Sequence, residues 1–224
     1  MESANTNGLT KVPLVEVAYG KLKEDICLGR YVSGQRLIIR DLSESLGVSQ
    51  TPIKEALNRL VSEGLIEALP GRGMQVRRFN KEDIDEILEV RLMCELYCIK
   101  RTLASVRENP LLMQKFTDNI MAHEQIIDIM SFHDYNRHHE LDEEFHMLII
   151  HSSRNKRILQ LYTDQKSHLY TFYMYARERS RRYRESIQEH KMIYEAMLEG
   201  NEAKAAEAIE KHMLNIKMDI KTLY

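Results

Sequence analysis

Leu42-Ser43-Glu44-Ser45-Leu46-Gly47-Val48-Ser49-Gln50-Thr51-Pro52-Ile53-Lys54-Glu55-Ala56-Leu57 is the stretch on which the fold turns. Its spacing is that of two short helices joined by a tight corner, with Gly47 free to take a positive φ and Val48 anchoring the turn. Ile38, Leu42 and Leu46 repeat on one face of the earlier helix, and Ile53, Ala56, Leu57 and Leu60 face inward on the later one. Ser49 or Thr51 can cap that later helix, and Pro52 falls in its first turn, where a missing N–H costs little. Its outward face carries Gln50, Thr51, Lys54 and Asn58. Such side chains suit a helix whose N-terminal end reaches base edges while hydroxyls, an amine and backbone N–H groups meet phosphates. The plainer alternative is a small α+β module with solvated polar helices.

Upstream, Leu14, Val17, Ala18, Leu22 and Ile26 repeat at helical spacing up to Gly29, and a Ser33-Gly34-Gln35 turn leads into the motif. Downstream, two β-prone runs between Leu65 and Val76 flank Pro70-Gly71-Arg72-Gly73, a hairpin signal that makes a wing with Arg72 at its tip. Residues 12–79 therefore read as a winged helix-turn-helix of three helices plus a β-hairpin, preceded by a polar, flexible tail over residues 1–11. From Asn80 onward Gly and Pro nearly vanish and apolar residues recur three and four apart. Asn80 with Asp83 resembles a helix start, Pro110 a break, Ser186-x-x-Glu189 a capping box, and Gly200-Asn201 the separation of the last two helices. The fold class is mainly α: residues 80–224 form an all-α bundle of about six helices.

A chain of 224 residues with 43% hydrophobic composition supports one or two cores, and two fit the change of pattern. No apolar run reaches membrane-spanning length, and Met1 to Lys11 lacks the apolar core of a secretory signal, so a soluble, cytoplasmic protein is expected. Cys27, Cys94 and Cys98 are too few and too oddly placed for a disulfide framework and read as reduced packing residues. Net charge is -2. Residues 1–79 carry 11 Lys and Arg against 9 Asp and Glu, net +2, leaving 21 against 25, net -4, for the remainder. An asymmetry this small leaves motif geometry to identify a DNA partner.

Among nine histidines, a lone His is by default a solvated or hydrogen-bonded helix residue. Asp142 and His146, however, are four apart and share a helix face. If the chain reverses at Gly200-Asn201, His190 and His212 each stand roughly 15 Å from the bend and meet at one height in an antiparallel hairpin. Three imidazoles and one carboxylate leave room for an oxygen ligand and suit Zn²⁺, Ni²⁺, Mn²⁺ or Fe²⁺ more than Ca²⁺ or Mg²⁺. His138 and His139 could compete as ligands, while His123, His133, His151 and His168 fit no spacing. Arg91 lies in the stripe Ile84, Leu88, Arg91, Cys98, where an inward guanidinium needs an anion; a local pair with Glu95 is the alternative. The arginine-rich run Arg177 to Arg184 reads as a solvated helix junction, and Tyr162, Tyr170, Tyr173 and Tyr175 as packing or a dimer face.

The motif quoted first, followed by Glu63-Gly64-Leu65-Ile66 and Pro70-Gly71-Arg72-Gly73, resembles the winged helix-turn-helix of the GntR family, and the helical second domain resembles the effector domain of its FadR-type branch. The resemblance implies DNA contacts from Arg40, Ser49, Gln50, Thr51, Lys54, Arg72 and Gly73. Gln50 and Lys54 depart from the arginines usual there: Arg pairs bidentately with guanine, Gln favours adenine and Lys is a point charge, so the operator is expected to differ from the common family site. The Asp-x-x-x-His, His, His pattern resembles the metal-binding subset of these effector domains, with ligands Asp142, His146, His190 and His212 and with His138 and His139 as bystanders. By the same resemblance Arg91 contacts the carboxylate of an organic-acid effector and Asn155 lies near the pocket. The implied protein is a homodimeric, ligand-responsive transcription regulator, expected to be a repressor, on a palindromic operator, with zinc the first expectation for its ion. Sensing of the metal itself is the alternative. A metalloenzyme fused to a DNA-binding domain is the weaker one, because no His-Glu-x-x-His motif or assignable catalytic base is present; the chain is read as no enzyme.

Overall fold

A computed structural model describes residues 13–27, 29–78, 81–126, 131–164 and 179–221. The predicted tail over residues 1–11, the predicted helix-start residue Asn80, His168 and the tyrosines at 170, 173 and 175 lie outside the described residues. The chain divides into two compact units, one ending at Arg77 and one beginning at Arg78.

In the first unit α1 (Leu14–Cys27), β1 (Arg36–Leu37), α2 (Ile39–Leu46), α3 (Gln50–Ser62), β2 (Ile66–Leu69) and β3 (Gly73–Val76) follow in order. Gly47 adopts φ 64° at the end of α2, and its N–H bonds to the Ser43 carbonyl; a side chain there would be strained, which is why glycine closes this corner. Ile53, Ala56, Leu57 and Leu60 of α3 are fully buried against α1, whose burial begins at Ala18 rather than at Leu14. The hairpin is antiparallel, pairing Ile66 with Val76 and Leu69 with Gly73.

Two expectations change here. The sheet has three strands in the order β1-β3-β2, because Arg36–Leu37 adds to the hairpin's other edge. That strand also moves Ile38. In extended backbone successive side chains alternate, so Leu37 points inward and Ile38, immediately before α2, is 55% exposed rather than on the inner face of that helix.

The second unit is all helical among its described residues: α4 (Lys81–Glu108), α5 (Pro110–Glu124), α6 (Phe132–Ser152), α7 (156–164), α8 (Arg179–Leu198) and α9 (Glu202–Lys221). Asn109 caps α5 by accepting from the Leu111 N–H, with Pro110 in the first position where no partner is needed. A capping box does occur, but at Ser131 and Asp134 on α6. Ser186 and Glu189 sit inside α8, which is already helical from Arg179, so the capping reading of that pair is corrected: both side chains are buried and face the bundle interior. Gly200 (φ 66°) ends α8, and Asn201 caps α9 by accepting from the Lys204 N–H. The resulting α8–α9 hairpin packs with α4, α5 and α6 around Ile99, Phe116, Phe145, Ile149, Ile193 and Ile209. No described helix is long and apolar enough to cross a membrane.

Candidate metal centre and nucleic-acid interface

In the first unit each of the predicted DNA-contact residues is exposed. Ser49 stands at the N-terminus of α3 with no side-chain capping bond, so its hydroxyl and the first N–H groups of the helix face outward. Gln50, Thr51 and Lys54 are exposed on the first turns of α3, opposite the buried Ile53 and Ala56. Arg72 and Gly73 lie at the wing tip and line a groove with Arg36 and Arg40. Arg40 is held by Glu44 at 2.9 Å, a surface pair that can exchange for a phosphate at little cost. Neighbouring Arg59 is differently used: it bonds Glu16 and stacks over the Tyr19 ring, fixing α3 to α1.

In the second unit α6 supplies Asp142 and His146 from one face, α8 supplies His190 and α9 supplies His212. All four side chains are buried, and one ligand atom from each lies within 4.8 Å of the others, a constellation able to hold a metal ion. His146 Nε2 faces His190 Nε2 at 3.1 Å, and His190 Nε2 is 3.4 Å from Asp142 Oδ1. The reversal at Gly200 brings His190 and His212 to the same height, with ring centroids 4.8 Å apart.

Two carboxylates orient these imidazoles. His146 Nδ1 donates to Glu95 Oε2 at 2.8 Å and His212 Nδ1 donates to Glu189 Oε2 at 2.7 Å, which leaves the lone pair of each ring on its inward Nε2. His212 Nε2 has no hydrogen-bond partner. Each carboxylate is in turn held by a buried arginine. Arg91 Nε donates to Glu95 Oε1 at 2.9 Å and to the Tyr162 hydroxyl at 3.1 Å. Arg182 grips Glu189 with both terminal nitrogens at 3.0 and 2.9 Å, and Asn215 donates to the same carboxylate.

The electrostatics follow from burial. Desolvation would raise the Glu95 carboxyl, but the His146 ring and the Arg91 guanidinium outweigh it and bring it down to about 2. Desolvation of Glu189 is likewise overcome by hydrogen bonds from His212 and Arg182, again giving about 2. Burial pushes His190 well below its ordinary value and His212 down to about 4, so both rings are neutral and ready to ligate at neutral pH.

Arg91 thus makes the local pair with Glu95 while remaining within the cluster's surroundings. Asn155 is not brought to the cluster; its Oδ1 accepts from the Arg157 and Ile158 N–H groups at the start of α7, a capping role. The solvated reading of the arginine run is corrected at Arg182, which is buried on Glu189, whereas Arg184 is exposed. Glu189, Arg182 and the orienting role of Glu95 escaped the sequence reading. The available signal was the inward stripe Arg182, Ser186, Glu189, Ile193, which places two charges on the same face as His190.

Residues 14–76 match the gntR family of bacterial regulatory proteins, and residues 86–215 match the FCD domain. The transcriptional regulator YdhC of Bacillus subtilis is 25% identical over 206 residues, covering 88% of this chain and 84% of that protein. McbR of Escherichia coli is 29% identical over 133 residues, 59% of this chain and 60% of that one. In structure, E. coli McbR/YncC overlays with a TM-score of 0.67 at 22% identity, covering 96% of this chain and all of that one. The metal-free FCD domain of TM0439 overlays with a TM-score of 0.55 at 20% identity, covering 65% of this chain and 96% of that domain. The chain belongs to the GntR family of DNA-binding transcription regulators, with a gntR-type winged helix followed by an FCD domain, and is not an enzyme.

Proposed function

We propose that this regulator holds one divalent transition metal on Asp142, His146, His190 and His212, and that a small carboxylate effector bound beside Arg91 alters its affinity for operator DNA. The observation that carries the reading is the arrangement of three buried imidazoles with their Nε2 atoms turned toward one carboxylate, the Nδ1 atoms of two being occupied by Glu95 and Glu189. A donor set of this kind fits Zn²⁺ first, then Ni²⁺, Mn²⁺ or Fe²⁺. Charge supports the metal: three buried carboxylates (Glu95, Asp142, Glu189) and the half-buried Asp219, 2.7 Å from Arg182, face two buried guanidiniums (Arg91, Arg182), a negative excess that a dication offsets. When bound, the ion supplies a Lewis-acid anchor for the effector carboxylate, and Arg91 supplies a charge-assisted hydrogen bond. At the other end of the chain, Arg40, Ser49, Gln50, Thr51, Lys54, Arg72 and Gly73 contact DNA. A single short helix reads few bases, so a homodimer on a palindrome is the working assembly, with repression the expected sense.

The test is thermal denaturation of the zinc-loaded protein across a panel of small carboxylates, with Arg91→Ala and Arg91→Lys alongside. Stabilisation by at least one acid, lost in both variants, is expected. Stabilisation by zinc with no response to any acid would transfer the reading to metal sensing.

A further inference from the structure

Between the wing and the start of α2 runs a groove of about 440 Å³ with two kinds of wall. Its apolar part includes Ile38, Ala68 and Met74, and Ile38 is 55% exposed. Its charged part comes from three arginines, Arg36 on β1, Arg40 on α2 and Arg72 at the wing tip, and no acidic residue lines it. Arg40 is held only by an exposed pair with Glu44. Among the described residues neither Arg36 nor Arg72 makes an ion pair or a side-chain hydrogen bond. For Arg36 the ladder gives the reason. It stands across from Gln75, Gln75 stands across from Glu67, and the Gln75 amide donates to the Glu67 carboxylate, so the one acidic side chain in that cross-strand row is already engaged.

Three like charges around one groove repel one another, and an anion between them relieves the repulsion. A small free anion would meet the charge and leave the apolar wall in water. A strand of duplex DNA meets both, offering phosphates to the guanidiniums and the C–H faces of deoxyribose to Ile38 and Met74.

We propose that one sugar-phosphate strand of the operator runs through this groove, with Arg36 a further phosphate contact beside Arg40 and Arg72 and with Ile38 packed on deoxyribose. This inference rests on the DNA-contact reading above and extends the DNA-facing surface from the third helix and the wing to β1. A phosphate contact positions the duplex and carries no sequence information, so Arg36 adds affinity without base preference.

The experiment is fluorescence-anisotropy titration of the full chain between about 50 and 200 mM salt on two labelled duplexes, one enriched from a random-sequence pool by the wild-type protein and one of unselected sequence. The variants are Arg36→Gln, Arg36→Lys, Arg72→Gln and, as an equal loss of charge from an exposed position in the second unit, Arg137→Gln. Arg36→Gln should weaken binding about tenfold, alike on both duplexes, and lower the slope of log K against log salt by about one per protomer. Its melting temperature should match wild type, since the side chain is exposed. Arg36→Lys keeps the charge and should keep the slope. Arg137→Gln should change neither affinity nor slope. Unchanged affinity and slope in Arg36→Gln, while Arg72→Gln weakens binding, would leave the groove to another occupant and overturn this inference alone. A loss confined to the selected duplex, or an equal loss in Arg137→Gln, overturns it too. Wild-type binding by both Arg36→Gln and Arg72→Gln overturns the DNA-contact reading of the wing as well.

Discussion

Glu95 and Glu189 decide which nitrogen of His146 and His212 is offered inward, and each is itself fixed by an arginine, Arg91 or Arg182. An imidazole without such a partner divides its population between tautomers and ring orientations, and orienting groups of this kind are typically worth about 10–100-fold in metal affinity. Glu189→Gln should therefore weaken zinc binding by about that factor in a chelator competition while the ligand set is intact. Unchanged affinity would show that His212 needs no orienting carboxylate. The four candidate ligands were legible because helical periodicity and one hairpin reversal fix which residues can meet. Their supports were not. Glu189 three residues after Ser186 has the form of a capping box, and only the position of the helix start, upstream at Arg179, decides whether that pair caps or faces the core. Arg182 was hidden in an arginine-rich run whose composition signals solvent exposure, although its i,i+7 relation to Glu189 puts both on one stripe.

At the scale of elements, the α8–α9 hairpin carries the site. Gly200 holds φ 66°, and a Cβ there would come within 2.6 Å of Arg107 Nη2, a side chain of α4 that also donates to the Gly200 carbonyl. Gly200→Ala should cost about 1–2 kcal/mol of stability from the left-handed backbone, with Arg107 swinging aside, and should show as a lowered urea midpoint. A midpoint equal to wild type would mean the hairpin bend is set by other contacts. The same element explains what periodicity delivers and what it misses. Long helices with Gly or Pro at their ends were readable, as Pro110 and Gly200 were. The strand Arg36–Leu37 was not, because a strand this short has no period and forms only when the wing's β3 offers it an edge.

For the whole molecule, the buried histidines make stability depend on pH in a definite direction. His212 ordinarily titrates at 6.5 but is held by burial at about 4 in the fold, and His190 is lowered in the same sense. Between these values the unfolded chain takes up protons that the folded chain refuses, so stability is full above about 6.5 and is lost as pH falls toward about 4. In the metal-free protein His212 alone should cost on the order of 2 kcal/mol of unfolding free energy between about pH 7 and 5, with His190 adding to the loss, measured by urea titration. Stability that is flat or rises over that range would contradict neutral buried rings. The division between a DNA-reading unit and a helical unit gives the regulator its form, and the proposed metal centre gives the second unit something to sense. Elemental analysis by mass spectrometry tests that claim most directly. One divalent transition metal per purified wild-type chain is predicted, with none in a folded Asp142→Ala, His190→Ala double variant. A folded wild type that takes up no metal, or a double variant that retains it, would contradict the account.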